Sequence, residues 1–177
     1  MSDKGIILKR NTTIPIFRPA GAWDNSRAID AEVYLFRGQY FLYFATRDPK
    51  GEVQMQGVAV CTDGDDFGRD CWFQVADYSI LTPELDWEKK CIEGASVIAR
   101  NGKLWMFYAG AYNNEPQQVG LAVSEDGIHW ERCSSEPFLP NGLSGEWNSS
   151  ESGHPHIFDD RRTGSTYLFY QGNNDGG

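Results

Sequence analysis

Cys91-Ile92-Glu93-Gly94-Ala95-Ser96-Val97-Ile98-Ala99-Arg100-Asn101-Gly102-Lys103-Leu104-Trp105-Met106-Phe107-Tyr108 reads as one β-hairpin. A small-residue strand runs in, Asn101-Gly102 reverses the chain, and an aromatic strand runs back. A carboxylate, Glu93, stands at its mouth. The same unit precedes it, from Ile29-Asp30 through Tyr40-Phe41-Leu42-Tyr43-Phe44, and follows it, from Gly153-His154-Pro155-His156 to Thr166-Tyr167-Leu168-Phe169-Tyr170. Three copies of one hairpin make this a repeat protein.

The flanks repeat as well. Ile80-Leu81 matches Phe138-Leu139; Trp23, Trp87 and Trp147 each precede a hairpin; Val53 to Val60 and Gln117 to Val123 each supply a third strand. Trp72 to Val75 reads as a short edge strand that closes the first unit. Asp30 to Glu93 and Gly57 to Gly120 both span 63 residues, which sets the expected period. Four short antiparallel strands per unit, without helical periodicity, predict an all-β chain of β-propeller blades. The 177 residues form one partial propeller domain, with blades at approximately 12–76, 77–135 and 136–177, the last incomplete. That is about two and a half to three blades, where propellers have about four to eight. Open blades invite pairing, so a homodimer supplying about five blades is expected.

Composition narrows the partners. With 16 basic and 25 acidic residues the net charge is -9, which disfavours nucleic acid and anionic membranes. No apolar run is long enough for a signal peptide or a membrane span, so the chain is expected in the cytoplasm. Cys61, Cys71, Cys91 and Cys133 lack zinc-site spacing, and in that compartment they are expected as free thiols. His154 and His156 lie near Glu151, but Pro155 intervenes and no further histidine is close. No metal and no cofactor is expected.

The blade pattern, with Gly120-Leu121-Ala122-Val123-Ser124-Glu125-Asp126-Gly127-Ile128-His129-Trp130 after an acid-headed aromatic hairpin, resembles the five-bladed propeller glycosidases. These are glycoside hydrolase family 43 and its relatives in families 32, 62, 68, 117 and 130. The resemblance runs from about Ile14 to Tyr170 and implies an incomplete five-bladed propeller acting on carbohydrate. It also implies a base Asp, a modulating Asp and an acid Glu on successive blades. Two registers stay open. In one, Asp30 is the base, Glu93 stands where an Asp is expected, and Glu151 is the acid, although aligning Pro155 brings Gly153 level with Glu93. In the other, Asp30 is the modulator, Glu93 the acid and His154 a substrate contact, and the base blade is missing.

Independently of the resemblance, innermost strands of a propeller converge on one end of its channel. Asp30, Glu93 and Glu151 are therefore expected to face one another as catalytic carboxylates, since glycoside hydrolysis needs two carboxyl groups with separated roles. Trp23, Trp87 and Trp147 are candidate sugar-stacking residues, or else blade packing. Asp24, Asn148 and His154 are candidate hydroxyl partners, and Arg47 a candidate for a carboxylated sugar. The alternative reading is a non-catalytic carbohydrate-binding or assembly module on the same blades.

Overall fold

The computed structural model describes residues 13–61, 67–68, 71–113 and 115–174. Ten strands form three antiparallel sheets in chain order. Strands β1 (Ile29–Phe36), β2 (Gln39–Arg47), β3 (Gln54–Cys61) and β4 (Phe73–Gln74) make the first blade; β5 (Ile92–Arg100), β6 (Lys103–Gly110), β7 (Gln118–Ser124) and β8 (Glu131–Arg132) make the second. β9 (Glu151–Asp160) and β10 (Ser165–Asn173) form a two-stranded third sheet.

Local chemistry sets these elements. Arg37-Gly38 and Asn101-Gly102 both carry positive φ at two successive residues, the mirror-image turn that suits strand twist. β2 and β3 are buried almost throughout because a packed layer covers each face, which is why β2 reads as an unbroken aromatic run. Tyr43, Val58, Ile92, Leu104, Met106 and Tyr108 form the core between the first two blades. Leu42, Phe44 and Trp72 turn the other way, toward Ile16 and Phe17.

Blades are also stitched by side chains that reach the next innermost strand. Glu32 accepts the Val97 N–H at 3.3 Å, and Ser96 accepts the Ile157 N–H at 3.0 Å. Glu32 and Ser96 occupy the same place in their blades, so one stitch occurs twice. At the ends of the set, Val33 and Leu35 on one side and Phe158, Tyr167 and Phe169 on the other are exposed.

The Gly57 to Gly120 anchor has a steric cause. Phe44 pairs with Gly57 and Tyr108 with Gly120, and each ring lies across its glycine. A Cβ at Gly57 would stand 2.5 Å from the Phe44 ring, and one at Gly120 would overlap the Tyr108 ring. Gly120→Ala is expected to cost about 2–3 kcal/mol by overpacking. Urea unfolding of the variant beside the parent checks this, and an unshifted midpoint would show that the ring can move away.

The uniform period is corrected. Gly38 to Gly102 spans 64 residues whereas Gly57 to Gly120 spans 63, because the path from Tyr108 to its partner Gly120 is one residue shorter than the equivalent path from Phe44 to Gly57. Each innermost strand carries a bulge near its start, at Asp30-Ala31, Gly94-Ala95 and His154-Pro155. Asp30 is thus equivalent to Gly94 and His154, while Glu93 is level with Ile29 and Gly153. The cysteines are also corrected: Cys61 and Cys71 form a disulfide with Cα atoms 5.1 Å apart, because the chain after β3 returns to the end of that strand. Cys91 and Cys133 are free thiols. Residues 62–66, which follow β3 and close the first unit, lie outside the described residues.

Candidate active site

Glu93 sits at the start of β5, one residue before the bulge, and only 6% of it is exposed. Burying a carboxylate demands donors, and each of its oxygens has one. The Gln54 side-chain amide donates to Oε2, and the Gln117 amide donates to Oε1 at 3.0 Å. These glutamines open the third strands of the first and second blades, so one repeat position supplies both. From the third sheet, His154 Nε2 stands 3.8 Å from Glu93 Oε1 and 3.1 Å from Asn113 Oδ1. All three sheets therefore touch Glu93.

The three bulges line one cleft of about 170 Å³, which contains Asp30, Glu32, Ser96, His154 and His156. The starts of the innermost strands thus bring Asp30 and His154 to one cleft, and His154 also stands beside Glu93. Asp30 and His154 have φ of 53° and 44°, where the equivalent Gly94 has 59°. The first and third sheets therefore hold a non-glycine residue in a conformation that the second gives to glycine, and strain of this kind clusters at functional sites. Glu32 also borders the cleft. Burial pushes its carboxyl above the usual range, partly offset by the Val97 N–H and by His156.

Glu151 bonds within its own sheet. It is 3% exposed at the start of β9 and its carboxylate accepts the Gln171 amide of that sheet; among the described residues no hydrogen bond or ion pair joins it to Glu93. The tryptophans pack within their blades. Trp23 lies against Gly57, Trp87 stacks on Tyr108 at 6.0 Å, and Trp147 stacks on Tyr170 at 5.4 Å. Asp24 accepts the Gly21 and Ser26 N–H groups and the Gln74 amide, and Asn148 bonds Ser152 Oγ at 2.9 Å. None of these five reaches Glu93. Arg47 does approach it through Gln54, whose Oε1 accepts Arg47 Nε at 3.2 Å.

Sequence reasoning missed Gln54, Gln117, Asn113 and Glu32, although Gln54 and Gln117 share the 63-residue spacing and so carried a signal. A larger outer groove of about 490 Å³ holds Trp130, His129 and Asp126. There Asp126 is committed to the Ile128 and His129 N–H groups and to His129 Nδ1 at 2.6 Å, so it holds a turn. Among the described residues no group of three or more His, Cys, Asp or Glu side chains is placed to hold a metal ion.

Repeated four-stranded blades whose bulged inner strands bring an aspartate and a histidine to one cleft, the histidine beside a buried carboxylate, define a propeller of the glycosidase class. The family model described as glycosyl hydrolases family 43 matches residues 12–177, and the chain belongs to that family. It is 22% identical over 135 residues to alpha-L-arabinofuranosidase 43 of Humicola insolens, an alignment covering 71% of this chain and 27% of that protein. An alpha-L-arabinofuranosidase from Lactobacillus brevis superposes with a TM-score of 0.68 at 20% identity, covering 84% of this chain and 46% of that one. An endo-1,4-beta-xylanase from Bacteroides thetaiotaomicron superposes at 0.67 and 22% identity, covering 93% and 53% respectively. The chain thus spans about half the length of these solved structures, and at such identities they show the fold alone.

Proposed function

We propose that the chain carries the acid-bearing part of a glycoside hydrolase site, with Glu93 protonating the departing glycosidic oxygen and Asp30 orienting or modulating it. The arrangement of Glu93 carries this reading. It is a buried carboxyl fixed by two amides, beside a histidine that lines one cleft together with Asp30. Of the two registers, the one that makes Asp30 the modulator and Glu93 the acid is favoured by Gly153 standing level with Glu93. The family and the arabinofuranosidase relative support pentosides as the first substrates to try.

Because the favoured register leaves the base to another blade, the test is hydrolysis of aryl α-L-arabinofuranosides and β-xylosides by the chain in an assembly that supplies that blade, and by Asp30→Gly and His154→Gly in the same assembly. Glycine suits the backbone at both positions, as Gly94 shows, so stability should stay within about 1 kcal/mol of the parent. Turnover should nevertheless fall at least about tenfold to a hundredfold. Glycine variants that keep full turnover would remove both side chains from the reaction.

A further inference from the structure

Three arginines among the described residues are matched to carboxylates. Arg100 pairs with Asp159, Arg132 with Glu88 and Glu84, and Arg162 with Asp160. Arg18, Arg27, Arg37, Arg47 and Arg161 are in no ion pair among the described residues, and of these Arg47 alone is half-buried, at the end of β2 and one amide away from Glu93, where the other four are exposed. Arg47 is nonetheless held in place. Its Nε donates to Gln54 Oε1, and its guanidinium carbon lies 5.7 Å from the centre of the Tyr112 ring. A guanidinium fixed at Nε and supported on a ring keeps its two terminal nitrogens as a fork, the shape that binds two oxygens of an oxyanion.

The geometry points to an oxyanion subsite at Arg47 and Tyr112, beside Glu93, that takes either the carboxylate of an acidic sugar or free phosphate. The inference rests on the carbohydrate reading above and deepens it by naming the charge of what is bound. In a chain of net charge -9 a half-buried cation without a carboxylate partner gives an anionic group a place beside the acid. The Nε bond also keeps the Gln54 amide group turned toward Glu93, so an anion on the fork and the acid share one connection.

The experiment is calorimetric titration of the chain with the methyl glycosides of glucuronic and galacturonic acid, with their uncharged hexose counterparts, and with inorganic phosphate alone. Each titration is repeated on Arg47→Gln and Arg47→Lys after their melting curves confirm folding. The expected result is that an acidic glycoside binds at least about tenfold tighter than its neutral counterpart, equivalent to about 1.4 kcal/mol. That preference should vanish in Arg47→Gln and persist in part in Arg47→Lys, a pattern that a merely structural arginine would not give. Arg47-dependent binding of phosphate without any preference for acidic glycosides would support the subsite and assign it to phosphate. Equal binding of charged and neutral glycosides with no phosphate binding, or a preference that survives Arg47→Gln, would overturn the inference and leave the carbohydrate reading standing. Failure to bind any glycoside or phosphate would overturn both.

Discussion

Glu93→Gln is expected to reduce hydrolysis of an alkyl or sugar-linked glycoside by about 10³ to 10⁴-fold, and that of a dinitrophenyl glycoside far less. A general acid matters in proportion to how strongly the departing oxygen needs a proton, so the loss should track leaving-group basicity. A carboxylate acting as nucleophile or base would give a loss insensitive to the leaving group. Both Glu93 oxygens accept N–H donors, from Gln54 and Gln117, so the introduced amide turns one of its own N–H groups toward a donor. A stability cost of about 1–2 kcal/mol should therefore accompany the loss. Rates across a leaving-group series, with a urea melt of the same sample, separate the two effects. Unchanged turnover removes Glu93 from the mechanism.

The largest stability effect is expected at a residue pair that sequence reading passed over. Glu88 follows Trp87 as Asp24 follows Trp23, and it is completely buried. Its carboxylate accepts Arg132 Nε at 2.8 Å, Tyr108 OH at 2.8 Å and the N–H groups of Glu84 and Leu85. Burial alone would raise the Glu88 pKa, but Arg132 and the other donors outweigh it and hold the carboxyl below its usual range. The pair ties the loop before β5 to the edge strand β8, as Asp24 and Gln74 tie the equivalent elements of the first blade.

Arg132→Ala strands a buried carboxylate and should cost about 3–5 kcal/mol at neutral pH. The sign of its pH dependence is diagnostic. In the parent a depressed folded pKa contributes stability that is present above the ordinary carboxyl range of about 4 and is lost as pH falls through the folded value. In the variant the uncompensated carboxyl titrates above that range, so its stability is lost as pH rises through the folded value. The gap between variant and parent should therefore narrow between pH 7 and about pH 4.5 in paired urea melts. A constant gap would show that Glu88 finds another partner.

The hairpins were legible because turn chemistry and aromatic alternation are local: Asn101-Gly102 and the run from Tyr40 to Phe44 announce themselves within a few residues. Glu93 was legible as a carboxylate at a strand mouth. Its alignment with Asp30 was not, because a one-residue difference in the path between strands is invisible when two anchors happen to share a spacing. The tryptophans recur because each lies over ring and glycine atoms of its own blade, and recurrence alone does not separate packing from binding. Glu88 and Arg132 lie 44 residues apart in an exposed-looking loop and a two-residue strand. Only the folded path of the chain brings them together. The same holds for Cys61 and Cys71, whose approach depends on how the chain returns after β3.

Glu93 takes one contact from each of the three sheets: Gln54 from the first, Gln117 from the second and His154 from the third. Its setting is therefore a gauge of how the blades are splayed. A shear of about 1 Å between sheets would move a contact without altering the acid itself, and misplacement of that size can change a rate by about a hundredfold. Substitutions far out in the blades, at seam residues such as Tyr43 where its hydroxyl meets Gly127 O at 3.0 Å, thus become a route for retuning reactivity from a distance.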